Sequence, residues 1–190
     1  MGKLFYIMGK SASGKDTIYQ RLLRNPEFSL ERLVIYTTRP IRDGELDGRE
    51  YHFVTEEDFQ KLKAEGKIIE DRGYETVYGL WRYFTADNMN LEEKSYLGIG
   101  TLESYEKLKA YYGEEKIRPI YIEVEDGERL KRAIAREETQ ETPKYEEMCR
   151  RFLADAQDFS EEKIRQAGIT HRFSNMDGAG GLSLIHISEP

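Results

Sequence analysis

Residues 4–17 read Leu-Phe-Tyr-Ile-Met-Gly-Lys-Ser-Ala-Ser-Gly-Lys-Asp-Thr, and this stretch decides the fold. The apolar run 4–8 predicts a buried strand, and apolar residues at 18, 22 and 23 recur at the spacing of a helix. Between them lies the pattern Gly9-x4-Gly14-Lys15. A strand, a glycine-bounded loop and a helix in this order are typical of a phosphate-binding P-loop.

The P-loop predicts that the protein binds a nucleoside triphosphate. Backbone N–H groups of such a loop point at an anion, and the helix dipole favours negative charge at the same place. Lys15 would supply a positive charge to the β- and γ-phosphates of ATP. The predicted ATP-binding residues are Gly9, Lys10, Ser11, Ala12, Ser13, Gly14, Lys15, Asp16 and Thr17.

The residue after Lys15 departs from the motif, which has Ser or Thr at this position as a ligand of Mg²⁺. Asp16 stands there instead. A carboxylate is also a hard oxygen ligand, so Asp16 is a candidate ligand for the Mg²⁺ that accompanies ATP. The alternative is that Asp16 only interacts with the helix dipole.

Length and composition predict one soluble domain. The chain has 190 residues, 38% of them hydrophobic, and a net charge of −7. A negative net charge argues against nucleic acid or an anionic membrane as the main partner of the protein. Cys149 is the only cysteine in the sequence, no apolar run has the length of a membrane span, and a signal peptide has no room before the first strand. These features favour the cytoplasm.

The C-terminal residues 182–190 need separate treatment. Their sequence, Leu-Ser-Leu-Ile-His-Ile-Ser-Glu-Pro, can be back-translated into the transposon-end adapter used to prepare sequencing libraries. We interpret this segment as an artefact and exclude it from the prediction of fold and function.

The remaining sequence alternates between strand and helix patterns. This order predicts an α/β fold, with a parallel sheet of the P-loop NTPase type flanked by helices. Further strands are predicted at 33–37, 96–99 and 118–124, strands of a small antiparallel insert at 50–54 and 76–84, and helices at 102–112, 126–138 and 144–158.

One segment resembles the signature of the guanylate kinase family. It reads Thr37-Thr38-Arg39-Pro40-x-Arg42-x-Gly44-Glu45-x-x-Gly48-x-x-Tyr51-x-Phe53, and Arg132-x3-Arg136 with Arg151-Phe152 resembles the lid of that family. The resemblance covers about residues 3–175 and implies phosphate transfer from ATP to GMP. It also implies a single domain over 1–181, with a core of 1–33, 95–135 and 151–181, an insert that binds the monophosphate at 34–94, and a lid at 136–150.

The phosphate of the acceptor has candidate ligands within this signature. Arg39 and Arg42 flank a proline and can present two guanidinium groups to one phosphate. Tyr51 and Tyr78 can add phenolic donors. The resemblance assigns all four residues to the acceptor phosphate and assigns Glu70 to the guanine base.

Three arginines are candidate catalytic residues together with Lys15. Arg132 and Arg136 are four residues apart and therefore share one face of a helix, and Arg151 begins a later stretch that could face them. Such arginines neutralise charge on a migrating phosphoryl group. The alternative is that they form weak surface ion pairs with Glu137 and Glu147.

Four positions depart from the pattern of the family at the end that binds the base. Ile35 and Leu80 stand where the family has serines, and Gly98 and Gly100 stand where it has aspartates. The sequence therefore leaves two alternatives open: a kinase for another nucleotide, or a binding module that has lost catalysis. Lys15 argues against the second alternative, because a pure binding module has no need of it.

Overall fold

A computed structural model of the protein describes residues 2–76 and 78–176. The strands are β1 (Leu4–Met8), β2 (Leu30–Arg32), β3 (Tyr36–Thr37), β4 (His52–Phe53), β5 (Ile68–Thr76), β6 (Gly79–Ala86), β7 (Ser95–Ile99), β8 (Ile117–Glu123) and β9 (Arg172–Ser174). The helices are α1 (Lys15–Arg24), α2 (Glu56–Ala64), α3 (Leu102–Tyr112), α4 (Asp126–Glu138), α5 (Tyr145–Asp158) and α6 (Glu161–Gln166). The segment 182–190 lies outside the described residues.

The central sheet is parallel, with the strand order β2-β7-β1-β8-β9. Helices cover both of its faces, as parallel sheets require. One apolar cluster joins the sheet to α3 and α6, and a second joins it to α1 through Ile18 and Tyr19. The predicted α/β class, with a P-loop NTPase-type sheet flanked by helices, is confirmed.

A second sheet lies within residues 34–94, the predicted insert. Its order is β4-β3-β6-β5, and α2 packs on one face through Phe59, which contacts Phe84 and Ala86. β6 is antiparallel to both of its neighbours, as predicted, whereas β3 and β4 are parallel. The prediction of a purely antiparallel insert is therefore wrong for β4.

Other predicted elements differ from the structure where pairing with a distant strand determines which residues form a strand. The predicted strand 33–37 is formed only at residues 36–37, which pair with β6, and the strand that pairs with β7 lies before it, at residues 30–32. β5 was not predicted, since its charged residues and Gly73 obscure the strand pattern until β6 pairs with it. The short elements α6 and β9 were not predicted either. Within the described part of the chain, no helix has both the length and the apolar character needed to cross a membrane.

The Tyr6 side chain packs directly against the backbone of β7. Tyr6 pairs with Gly98 in the register of β1 and β7, and both residues lie in the interior of the sheet. A Cβ atom at Gly98 would lie 2.6 Å from the Tyr6 ring, and a Cβ atom at Gly100 would overlap the Tyr6 hydroxyl. The ring therefore fills the space that side chains at positions 98 and 100 would occupy.

This packing predicts that Gly98→Ala destabilises the protein. Replacing glycine in a strand normally restricts the unfolded chain and stabilises, but here the added methyl group overpacks a fixed ring. We expect the free energy of unfolding to fall by about 1–3 kcal/mol, measured by urea denaturation. Gly127→Ala is the control, because no described atom lies within 4 Å of its new Cβ. Equal stability of the two variants would contradict the prediction.

Candidate functional site

The P-loop connects the carboxyl end of β1 to the N-terminus of α1. Its backbone turns through two residues with positive φ, Ala12 at 61° and Gly14 at 82°, and Gly14 is the N-cap of α1. At Gly9 the loop approaches β8 so closely that a Cβ atom would lie 2.7 Å from the carbonyl oxygen of Ile122. Glycine is thus required at position 9 by contact and is favoured at position 14 by conformation.

Asn175, which follows β9, hydrogen-bonds the inner half of the P-loop. Its Nδ2 donates to the carbonyl oxygen of Ser13 at 2.9 Å, and a Cβ atom at Gly14 would collide with the same amide. The Asn175 carbonyl in turn accepts a hydrogen bond of 2.9 Å from Arg132. The Ser13 hydroxyl is buried and has no hydrogen-bond partner within residues 2–76 and 78–176. The conformation of the loop thus depends on a strand more than 150 residues away in sequence.

Asp155 and Arg129 hold the outer half of the P-loop. The backbone N–H of Ser11 donates to Asp155 Oδ2 at 2.7 Å, and Arg129 Nη1 donates to the Ser11 carbonyl at 3.0 Å. Arg129 is fully buried, stacks on Phe152 at 4.5 Å and donates to Asp126 at 2.7 Å. This hydrogen bond lowers the pKa of Asp126. Sequence analysis missed Asp155 and Arg129, because both contact backbone atoms of the P-loop.

Lys15 and Asp16 form the first turn of α1. Lys15 Nζ lies 3.6 Å from Asp16 Oδ2, and the Asp16 side chain is 83% exposed. An exposed carboxylate at this position suits a hard cation that also binds phosphates, because Mg²⁺ is usually held by one or two carboxylates, waters and substrate oxygens. Among the described residues, no cluster of three or more His, Cys, Asp or Glu could hold a metal ion without such help.

The predicted lid arginines occupy two different places. Arg136 and Arg151 line one cavity of about 240 Å³ together with Ser11 of the P-loop. Arg132 instead donates to the carbonyl oxygens of Asn175 and Met176, at 2.9 and 2.6 Å, and to Glu128. The structure therefore brings Arg136 and Arg151 to the P-loop, and it places Arg132 at the end of β9.

The Arg39 guanidinium is paired with Glu45. Two nitrogens of Arg39 donate to the two Glu45 oxygens at 3.0 and 2.8 Å, and only 3% of the side chain is exposed. The ion pair raises the pKa of Arg39 and lowers the pKa of Glu45. Arg42 is exposed, and its backbone N–H donates to the same carboxylate at 2.8 Å. Glu45 thus orients the Arg39 guanidinium and holds the backbone of Arg42, a role that its place in the quoted signature could have suggested.

Tyrosines surround the buried Arg39. The guanidinium lies 5.4 Å from the centre of the Tyr51 ring. Its pKa is raised mainly by Glu45 and to a smaller extent by Tyr83. Tyr51 and Tyr83 meet edge to face at 5.6 Å, and burial raises the pKa of Tyr51. Tyr83 was not predicted, because it lies outside the signature and is brought in by β6. Tyr78 is elsewhere: it is 82% exposed at the β5–β6 turn and stacks on Trp81.

Glu70 lies on β5 in a buried polar group. Thr85 on β6 donates its hydroxyl to Glu70 Oε1 at 2.8 Å, and Arg72 Nε lies 3.4 Å from Glu70 Oε2. Ile35, one of the positions that depart from the family pattern, packs against the apolar core instead of entering this polar group. Sequence analysis identified Glu70 but missed the two residues that contact its carboxylate.

The family model and the curated relatives that match this chain all belong to one family. The family model described as Guanylate kinase matches residues 1–163. The guanylate kinase of Schizosaccharomyces pombe is 40% identical over 101 residues, which cover 53% of this chain and 44% of the relative. The guanylate kinase of Wolbachia pipientis wMel is 31% identical over 157 residues, which cover 82% of this chain and 75% of the relative. The chain spans about half the length of most curated relatives that it matches.

A solved structure supports the same fold. The crystal structure of guanylate kinase from Anaplasma phagocytophilum matches with a TM-score of 0.56 and 24% sequence identity. The match covers 93% of this chain and 78% of that chain. At this level of identity the similarity establishes the fold alone, that is, the two sheets and their connecting helices.

Proposed function

Because the chain belongs to the guanylate kinase family, we propose that it is an ATP-dependent nucleoside monophosphate kinase with GMP as its acceptor. The observation that carries the proposal is the P-loop with Lys15 at the start of α1, combined with the Arg39, Arg42 and Tyr51 group of the second sheet. ATP occupies the P-loop, and the products are ADP and GDP. The sequence has one cysteine, and no helix among the described residues could span a membrane. These features favour a cytoplasmic location for the proposed enzyme.

The acceptor phosphate binds where Glu45 now neutralises Arg39. Arg42 makes the first contact, since its side chain is exposed, and the phosphate dianion then competes with Glu45 for the Arg39 guanidinium. Bidentate arginine–phosphate contacts are strong and geometrically selective. Tyr51 lies beside Arg39 and adds its hydroxyl, whereas Tyr78 joins only if the β5–β6 turn folds inward. Glu70 accepts hydrogen bonds from the base.

Positioning and electrostatics carry the chemical step. The attacking atom is an oxygen of the GMP phosphate, so no residue has to act as a general base. Lys15 stabilises negative charge on the β- and γ-phosphates of ATP. Arg136 and Arg151 already share a cavity with Ser11. Closure of residues 136–150 brings Arg136 over the transferring group beside Arg151 and excludes water.

Mg²⁺ is the proposed cofactor, and Asp16 is its proposed ligand. When bound with ATP, the ion neutralises charge on the phosphate oxygens. Asp16 offers an exposed carboxylate on the first turn of α1, and its position beside Lys15 places both charges next to the loop that binds the phosphates. A second candidate function, nucleotide binding without transfer, is favoured by the absence of side chains at Gly98 and Gly100.

We predict that Lys15→Ala lowers kcat for phosphate transfer from ATP to GMP by at least roughly 10²–10³-fold, because one preorganised charge on the transferring group is lost. A coupled assay of ADP formation measures the effect, and circular dichroism checks the fold. Lys94→Ala, which removes an exposed ion pair with Glu31, is the matched control. Substantial turnover by folded Lys15→Ala would show that the P-loop assignment is wrong. If the parent protein binds both nucleotides without transferring phosphate, the binding-module candidate stands instead.

We predict that Arg42→Ala raises the KM for GMP by about tenfold to a hundredfold and leaves the KM for ATP unchanged. The expected loss corresponds to one charge-assisted hydrogen bond. Arg39→Ala should act in the same direction but also reduce stability, since Glu45 would lose its buried partner. Arg49→Ala, on the same loop and paired with Glu50, is the control for Arg42→Ala. An equal rise in both KM values would place Arg42 outside the acceptor site.

We predict that Asp16→Ser raises the Mg²⁺ concentration for half-maximal activity by about tenfold, since an anionic metal ligand becomes a neutral one. Initial rates over a Mg²⁺ titration at saturating ATP and GMP measure this shift. Glu57→Ser, at an exposed position in the first turn of α2, controls for the loss of one surface charge. An unchanged Mg²⁺ response would leave Asp16 with the role of interacting with the helix dipole.

A further inference from the structure

We infer that Asp155 is a positioning residue of the ATP site, which holds Ser11 of the P-loop in a fixed place relative to the candidate catalytic residue Arg151. Asp155 touches no nucleotide and acts through these two residues. The inference rests on the proposed function, because it concerns how the same P-loop and the same arginine meet the phosphates of ATP.

Both backbone polar groups of Ser11 are held by the helices on either side of the lid. The Ser11 N–H donates to Asp155 Oδ2 on α5 at 2.7 Å, and the Ser11 carbonyl accepts from Arg129 Nη1 on α4 at 3.0 Å. Arg129 Nη1 also donates to Asp155 Oδ2 at 3.4 Å, so the three residues form one closed group. Hydrogen bonds to a charged group are stronger than those between neutral groups. The outer half of the P-loop is therefore tied to α4 and α5 before ATP binds.

The residues that hold Ser11 share helix faces with the arginines proposed to act on the transferring phosphate. Asp155 lies four residues after Arg151 on α5. Arg136 lies seven residues after Arg129 on α4. Residues at these separations occupy the same face of a helix. Arg136 and Arg151 also line the same cavity as Ser11, so the holding contacts and the two arginines meet at one place on the P-loop.

Arg129 joins the two helices to each other as well as to the P-loop. Its side chain is 1% exposed, and its guanidinium lies 4.5 Å from the centre of the Phe152 ring on α5. Phe152 is adjacent to Arg151 and lines the cavity that Arg151 and Ser11 share. A shift of α5 relative to the P-loop would break this stack together with the hydrogen bonds of Ser11. The contacts that fix Ser11 therefore also fix the place of Arg151.

The charge of Asp155 by itself opposes the binding of ATP, because a carboxylate next to a phosphate-binding loop repels the phosphates. Neighbouring charges limit this repulsion. Arg129 contacts both Asp155 and Asp126. Lys10 Nζ lies 3.3 Å from Asp126 Oδ1 and adds a second cation. Removal of Asp155 thus separates two roles: if only its charge mattered, ATP would bind more tightly, whereas the loss of a positioning residue weakens the binding of ATP.

Calorimetric titration of the full chain with ATP and Mg²⁺ tests the inference. We expect Asp155→Ala to raise the Kd of ATP by about tenfold and to change the Kd of GMP by less than about twofold, because only the donor site loses preorganisation. Unchanged or tighter binding of ATP would overturn the inference. Glu162→Ala, at an exposed position on α6, controls for the loss of one carboxylate. Asp155→Ser takes the place of Asp155→Ala if circular dichroism shows that the alanine variant does not fold.

Asp155→Asn separates the held N–H from the charge. The amide oxygen of asparagine can still accept the Ser11 N–H, whereas the negative charge is lost. We expect the Kd of ATP for this variant to stay within about threefold of that of the parent protein, since the hydrogen bond to the P-loop is kept. A loss of affinity as large as that of Asp155→Ala would overturn the inference.

A double-mutant cycle with Arg151 distinguishes positioning from a general loss of stability. We expect Asp155→Ala to lower kcat for transfer from ATP to GMP by about tenfold in the parent protein, and by less than about twofold when Arg151→Ala is already present. The residue through which Asp155 affects kcat is missing in the second case. Equal losses in both backgrounds would overturn the inference, because the effects of independent residues add in free energy.

The binding and transfer measurements separate this inference from the proposed function. If the parent protein binds ATP and GMP but transfers no phosphate, the kinase is refuted and the titrations with ATP decide the inference. If the parent protein transfers phosphate and Asp155→Ala causes equal losses in both backgrounds, the kinase stands and the inference is refuted.

Discussion

The close approach of the P-loop to β8 at Gly9 is the constraint on which the rest of the site depends. With a Cβ at this position, the loop would have to move away from the Ile122 carbonyl, and the positive φ angles of Ala12 and Gly14 could no longer direct the chain into α1. Asn175, Asp155 and Arg129 then fix the loop from three later elements. The phosphate-binding backbone is therefore formed before any nucleotide arrives, which reduces the reorganisation needed on binding.

Carboxylates accompany the arginines throughout the site. Glu45 holds Arg39, Asp126 and Asp155 hold Arg129, and Glu70 faces Arg72. A protein with a net charge of −7 can in this way keep guanidinium groups buried, since an unpaired buried charge is costly. The pairs differ in use: that of Arg129 holds the P-loop, whereas that of Arg39 faces the proposed acceptor, whose phosphate can replace the carboxylate.

The Tyr6 ring accounts for the glycines at position 98 within β7 and at position 100 just after it. In the sequence alone, Gly98 and Gly100 leave open a binding module without catalysis, because the family that the chain resembles has aspartates there. In the structure they allow an aromatic ring to fill the interior of the sheet. The Tyr6 ring thus occupies the space that side chains at positions 98 and 100 would take, and the P-loop at the end of β1 is formed without them.

The sequence by itself determined the α/β class, the P-loop and the acceptor signature, because each depends on local spacing: apolar runs, glycines at fixed separation, and arginines around a proline. Tertiary structure alone decided the division of residues 30–37 between two sheets, the formation of β5, and the contacts of Glu45, Arg72, Tyr83, Asp155 and Asn175 with the site. These features depend on partners distant in the chain. A charged residue has the same appearance in a sequence whether it is solvated or buried against a counter-ion, and only packing distinguishes the two.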